Sequence, residues 1–263
     1  MYFKIASHQR LLGFPKFQMR LASDEMISIL IPVYNEEDIL EASLSKVHAY
    51  LEERNLAHEV VVVSNGSTDA TAVRGRELEA RWGWFRFFEI GERGVGRAFA
   101  HAVQQARGEY LISLDVDLSF DLRFIDYSVD LLRHADMIVG SKTMGRQRRS
   151  LLRILASQAY ILCAQMFFDL TVSDYSIGCK SYRRSSLLPI VSQVDVWTGY
   201  VFELCLYMNQ SGRRLIQVGV DCDDRRASHF SLLHEGFYRY RHLWRCWRNL
   251  RRGEGWYGRT VTS

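Results

Sequence analysis

Ile27-Ser28-Ile29-Leu30-Ile31-Pro32-Val33-Tyr34-Asn35 passes from a nearly continuous apolar run to Pro, Tyr and Asn within nine residues. The β-branched run reads as a strand buried on both faces, and Pro with Asn ends it. From Glu36 to Glu53 the apolar residues Ile39, Leu40, Leu44, Val47 and Leu51 recur at helical spacing, so the strand hands over to a helix. The same alternation continues outward. Val60–Val63 is a second apolar strand closed by Ser64-Asn65-Gly66-Ser67-Thr68-Asp69, Trp84–Ile90 a third, Tyr110–Leu114 a fourth and Asp136–Ser141 a fifth, with a helix over Gly94–Arg107. Strands of this kind separated by helices predict an α/β fold with a mostly parallel, doubly covered sheet. Ligands of such sheets bind beyond the carboxyl ends of the strands, where each polar cluster of this sequence falls.

Composition sets the outer bounds. The 263 residues are 48% hydrophobic and 24% charged, enough to bury a full core. Cys163, Cys179, Cys205, Cys222 and Cys246 show no metal-ligand spacing, which points to reduced thiols in a cytosolic setting. The net charge of +4 is uneven: from Arg225 onward nine Arg face two acids, a local balance of +7 that leaves −3 elsewhere. Lys142, Arg146, Arg148, Arg149 and Arg153 form a second basic segment without an acid. Such segments suit a phosphate-rich partner. Nucleic acid is not expected, because no binding module accompanies the Arg.

Three segments bound the domain reading: a basic extension over 1–25 without the apolar run of a signal sequence, a catalytic domain over 26–228, and a basic aromatic helix and tail over 229–263. Leu151–Phe168 reads as a long apolar helix, interrupted by Arg153, Gln158 and Gln165 and short of a membrane span. On a helix from Leu233, the residues Phe237, Tyr240, Trp244 and Trp247 share a stripe flanked by Arg241, Arg245, Arg248 and Arg252. That pattern fits a membrane interface, and equally a helix docked on the core.

Two motifs carry chemistry. Asp115 and Asp117 at the end of the fourth strand put two carboxylates together, a donor set for a hard divalent ion; a solvated strand end gives the same pattern. Arg93-Gly94-Val95-Gly96-Arg97-Ala98 opens a helix whose amino end suits a phosphate, although Phe99 stands where a dinucleotide fingerprint has its third Gly.

Taken in order, Pro32-Val33-Tyr34-Asn35-Glu36, Asn65-Gly66-Ser67-Thr68-Asp69 and Asp115-Val116-Asp117 resemble the motifs of the family 2 glycosyltransferases of GT-A fold. Arg93–His101, Asp115–Ile125, Gly140-Ser141-Lys142, Ser173–Gly178, Tyr182-Arg183-Arg184 and Gly199–Glu203 narrow the likeness to polyprenyl-phosphate (dolichol-phosphate) mannosyl- and glucosyltransferases. The resemblance implies an inverting enzyme that moves a sugar from a nucleoside diphosphate donor to a polyprenyl phosphate with Mg²⁺ or Mn²⁺. It implies nucleotide contacts at Pro32, Tyr34, Glu36 and Asn65, the last standing where the family usually has a base-reading Asp. Asp115 and Asp117 would face the ribose and the metal-bound diphosphate, with Ser119 as a further metal ligand where relatives carry Gln. Lys142, Arg148 or Arg149, and Arg225 fall near the family's basic residues for donor diphosphate or acceptor phosphate. A cytoplasmic, peripheral location on the membrane and an integral-membrane partner protein go with it.

The ED pair and QxxRW motif of relatives with sugar acceptors do not occur after residue 170. A sugar hydroxyl needs a base, whereas a phosphate monoester, with a second pKa near ~6, is already ionised. Other readings are a saccharide or glycolipid hydroxyl acceptor with Asp174 or Glu203 as base, a nicotinamide-binding protein built on Arg93–Ala98, and a non-catalytic nucleotide-sugar binder.

Overall fold

The computed structural model describes residues 3–5, 25–148, 151–170, 172–175, 178–223 and 232–254, with backbone only for 3–5, 147–148, 151–153 and 232–234. Strand β1 (Phe3–Ile5) precedes β2 (Ile27–Val33), α1 (Leu40–Glu52), β3 (His58–Asn65), α2 (Thr71–Arg81) and β4 (Phe85–Ile90). Then come α3 (Val95–Gln105), β5 (Tyr110–Ser113), α4 (Arg123–Leu131), β6 (Met137–Ser141), β7 (Gln147–Arg148) and α5 (Leu151–Phe168). The last part holds β8 (Lys180–Arg183), α6 (Arg184–Leu187), α7 (Tyr200–Gln210), β9 (Leu215–Gly219), β10 (Cys222–Asp223) and α8 (Leu232–Arg251).

Eight strands form one sheet in the order β1-β9-β6-β8-β5-β2-β3-β4, and β7 pairs with β10 in a separate ribbon. All pairings in the large sheet are parallel except those of β8, which runs antiparallel between β5 and β6. The fold is therefore the mostly parallel, helix-flanked α/β sheet that the alternation predicts. Sequence patterning missed three strands of this sheet, and the two of the ribbon. β9 is an apolar pentapeptide, and β1 joins the far edge through backbone pairing of Phe3–Ile5 with Ile216–Val218. β8 hides because it begins with Lys180, buried, whose ammonium donates to the Gly140 carbonyl.

Alternation along each strand divides two cores. Ile29, Ile31, Val60 and Val62 meet Leu40, Leu44, Val47, Phe124 and Ile125 on one face. Leu30, Val61, Val63 and Leu111 meet Phe99, Ala102, Tyr160 and Phe202 on the other. Four consecutive buried Val in β3 thus serve two layers, each contributing about 1.5–3 kcal/mol by burial. The carboxyl ends of β2, β3, β5 and β6 lie at one sheet edge, and antiparallel β8 begins there, with Lys180 paired to Ser113. No helix among the described residues is long and apolar enough to cross a membrane.

Candidate active site at the carboxyl edge of the sheet

At the end of β2 the chain turns through Asn35 in the left-handed region, φ 52°. The Asn35 side chain grips the loop after β3, donating to Thr68 Oγ1 at 3.2 Å and accepting from the Thr68 N–H at 2.8 Å. Glu36 N–H donates to Thr71 Oγ1 at 2.8 Å, which delays the helix: α1 begins at Leu40 rather than at Glu36. Asn65 is buried and bonded through both amide atoms. Its amide donates to the Val33 carbonyl at 2.6 Å and accepts from the Gly94 N–H at 3.0 Å, tying the ends of β2 and β3 to the start of α3. Pro32 sits inside β2 in register with Val63, and the Arg93 guanidinium lies 3.9 Å from the Tyr34 ring centroid and 5.4 Å from that of Trp197. Tyr34, Arg93 and Trp197 thus make a flat, cationic wall beside the β2 end, a surface on which a base can stack.

The Asp pair lies beyond the end of β5 and not on the strand itself. The strand stops at Ser113, and Asp115–Leu118 is a turn closed by the Leu118 N–H on the Asp115 carbonyl at 3.2 Å, with Leu118 left-handed at φ 47°. Asp115 is accessible from the cleft yet ringed by protein. Its carboxylate accepts the Gly178 N–H at 2.9 Å. Burial, then repulsion from Asp117, pushes its pKa up to about 6 against the pull of that N–H, Lys180 and Lys142. Asp117 accepts the N–H of Ser119 at 3.1 Å, and the Ser119 carbonyl accepts the Asp223 N–H at 2.8 Å.

Lys142 is buried beside this pair, its backbone N–H donating to Asp174 at 3.1 Å. Lys180 is a second buried cation here that sequence reading missed; a Lys in a central strand carries no pattern that marks it. Tyr200 was also missed: it opens α7, is buried, and bonds to Ser113 at the same strand end. The β7–β10 ribbon sets Arg148 in register with Asp223, and Phe120 bridges Cys222, so the basic segment runs beside the Asp117–Ser119 turn. Arg149 and Arg225 lie outside the described residues.

The α3 amino end corrects an expectation. Two of its N–H groups are taken by protein: Gly94 donates to Asn65, and Arg97 to the Val196 carbonyl at 3.1 Å. A Cβ on Gly96 would stand 2.1 Å from the Asp195 carbonyl oxygen, so these glycines admit a neighbouring loop, not a pyrophosphate. The nicotinamide-binding reading loses its basis. The two carboxylates offered as bases are also engaged. Glu203 is buried under α8, accepting the Asp195 N–H and bonding to His242 at 2.8 Å, and Asp174 is buried against Lys142.

The sequence matches the model of glycosyl transferase family 2 over residues 28–189. Among curated relatives, it is 32% identical over 163 residues to an undecaprenyl-phosphate 4-deoxy-4-formamido-L-arabinose transferase of Pseudomonas aeruginosa, covering 61% of this chain and 48% of that one. It is 25% identical over 224 residues to glycosyltransferase AglD of Haloferax volcanii, covering 80% of this chain and 35% of that one. The chain thus spans about half the length, or less, of these relatives. Among solved structures, glucosyl-3-phosphoglycerate synthase of Mycobacterium tuberculosis in complex with uridine diphosphate superposes with a TM-score of 0.68 at 17% identity, over 95% of this chain and 88% of that one. Mannosyl-3-phosphoglycerate synthase of Rubrobacter xylanophilus gives 0.67 at 17% identity, over 88% and 75%. At these identities the structures speak for the GT-A fold alone.

Proposed function

The chain belongs to glycosyl transferase family 2, and from that premise we propose that it moves a sugar, with inversion, from a nucleoside diphosphate donor to a polyprenyl phosphate. The observation that carries the proposal is the Asp115–Asp117 turn at the sheet edge, set against buried Lys142 and Lys180. A relative at 32% identity is named an undecaprenyl-phosphate 4-deoxy-4-formamido-L-arabinose transferase, which supports the acceptor class.

Each residue has a task in this reading. The Tyr34, Arg93 and Trp197 wall receives the base, with Pro32, Glu36 and Asn65 shaping the pocket behind it. Breaking the donor's sugar–phosphate bond develops negative charge on the departing diphosphate, and Lys142, Arg149 and Arg225 answer it with fixed positive charge. The same cations let an anionic acceptor approach an anionic donor.

A divalent ion, Mg²⁺ or Mn²⁺, fits the donor set. Burial first, and the neighbouring Asp117 second, make Asp115 resist ionisation, and a hard cation held by the two carboxylates relieves both. Asp115 and Asp117 would hold it, with Ser119 adjoining, and when bound it supplies charge to the diphosphate oxygens. Asp174 and Glu203 are both committed to protein partners, which favours a phosphate acceptor over a hydroxyl that needs a base. An anionic donor does not cross a bilayer, so the chain works peripherally at the cytoplasmic face, with a membrane-embedded partner protein handling the lipid product. We keep 26–228 as the catalytic domain and 229–263 as its C-terminal helix and tail as part of this proposal, while β1 within 1–25 pairs into the same sheet.

The test is a panel of UDP-, GDP- and dTDP-sugars with Mn²⁺ and undecaprenyl phosphate, scored for a radiolabelled lipid. One donor should give lipid product, and Asp117→Ala should abolish it. Transfer to a saccharide but never to lipid would overturn the acceptor, and unaltered turnover in Asp117→Ala would overturn the role of the Asp pair.

A further inference from the structure

α5 and α8 lie side by side, Tyr160 against Tyr240 with ring centroids 5.6 Å apart and Phe167 against Trp247 at 5.8 Å. Their inward sides are buried in one core: Ile161, Ala164 and Phe168 from α5, and Leu243 and Cys246 from α8. The outward sides carry large apolar side chains where those of surface helices are ordinarily polar. Leu155 is 67% exposed, Leu162 57%, Met166 73%, Phe237 69% and Trp244 53%. Seven of the nine large apolar side chains exposed among the described residues belong to these two helices, so this is one patch and not scatter. Of the aromatic stripe read from the sequence of α8, Phe237, Tyr240 and Trp244 are turned outward, whereas Trp247 packs against the core beside His242, Leu243, Cys246 and Asn249.

Charge is distributed over the patch in a specific way. α5 has no charged residue between Arg153 and Asp169. α8 has no acid between Phe237 and Arg252, and Arg241, Arg245, Arg251 and Arg252 are exposed there. Arg248 stacks over Trp244 at 4.8 Å and Arg251 over Trp247 at 4.5 Å. An apolar helix beside a helix of interleaved aromatics and Arg matches the layering of a bilayer surface. Acyl chains accept the Leu and Met side chains, the headgroup level accepts Trp and Tyr, and lipid phosphates accept Arg. A protein partner would match the apolar centre but would have to supply acids opposite every Arg.

We infer that the α5–α8 face docks on an anionic lipid bilayer, with Leu155, Leu162, Met166 and Trp244 entering the boundary between headgroups and acyl chains and Arg241 and Arg252 meeting lipid phosphates. The basic segment that Lys142 opens runs into the first turn of α5, at Arg153, so the chain leads directly from the Lys142 side of the site to the docking face. The inference deepens the peripheral-membrane part of the reading above and rests on it, but vesicles without polyprenyl phosphate test it separately from sugar transfer.

The full chain is sedimented with vesicles of phosphatidylcholine with and without phosphatidylglycerol, at low and high salt. It should bind the anionic vesicles and leave the neutral ones. Arg241→Gln with Arg252→Gln should weaken partitioning about twenty-five-fold, each charge being worth about fivefold, while Arg241→Lys with Arg252→Lys should retain most of it. Met166→Ser with Trp244→Ser should weaken binding at both salt concentrations, with an unchanged circular dichroism spectrum, since both side chains face outward. Binding to neither vesicle, equal binding to both, or a dimer in light scattering that Trp244→Ser dissolves would each overturn the inference.

Discussion

Replacing Asn65 by Asp makes a sharp test of how the strand ends are held. The amide nitrogen of Asn65 lies 2.6 Å from the Val33 carbonyl, while its oxygen receives the Gly94 N–H at 3.0 Å. A carboxylate keeps the second bond and loses the first, leaving a buried carbonyl without its donor and facing an anion. The lost bond costs about 1–3 kcal/mol, and burying a carboxylate with one N–H partner adds to it, so a loss of about 2–4 kcal/mol is expected at pH 8. Protonation restores a donor, because a carboxyl O–H can point at Val33. The folded chain therefore holds this proton more tightly than the unfolded chain does, and the added stability at low pH disappears as pH rises through the folded pKa. At pH 5 the deficit should shrink to about 1 kcal/mol. Urea denaturation at the two pH values, with Asn65→Ala as a reference that loses both bonds without adding charge, measures it. An Asn65→Asp chain as stable as the unaltered one at pH 8, or a deficit that grows on acidification, would refute the reasoning.

Three further outcomes follow from the geometry. A Cβ on Gly178 would stand 2.2 Å from Asp115 Oδ1 and 2.5 Å from its Cγ, so Gly178→Ala should cut turnover by about a hundredfold or more while barely shifting the urea midpoint; near-normal turnover would show that the Asp115 position is immaterial. With Asp115 at about 6, its ionised fraction falls from most at pH 7 to about a tenth at pH 5, and calorimetry should find Mn²⁺-dependent donor binding about tenfold weaker. A flat profile would take the ion away from Asp115. His242→Ala removes the ring bonded to buried Glu203 at 2.8 Å and should destabilise by about 2–4 kcal/mol in urea, and a loss under ~0.5 kcal/mol would mean that the α7–α8 contact does not depend on that bond.

The strands were legible where both faces are covered, because burial on two sides leaves no room for polar alternation. Ile27–Val33 and the Val60–Val63 run show this, and Leu151–Phe168 is a helix over the residues that its composition indicated. Lys180–Arg183 was not legible: its polar residues are paid for by position, between two strands and against the Gly140 carbonyl, and no local pattern records that. The Asp pair was visible as a motif, but its turn depends on left-handed Leu118, a conformation the side chain does not advertise. Gly94 and Gly96 show the opposite error, since glycine marks close approach without saying whether a phosphate or the backbone at Asp195–Trp197 approaches. On α8 the periodicity was readable, yet which face turned inward depended on Glu203 waiting beneath His242.

The place of β8 has a consequence for synthesis. β5 and β6 are not neighbours; β8, made some forty residues after β6 ends, fills the gap between them. A chain emerging from the ribosome can zip β2, β3, β4 and β5 into a half-sheet early, but β6 has no partner until Lys180–Arg183 appears. Until then two open strand edges face the solvent, the arrangement most exposed to pairing with other nascent chains. Residues 184–219 must follow before β9 covers the far side of β6, so any premature stop ahead of them leaves an aggregation-prone half rather than a smaller working enzyme.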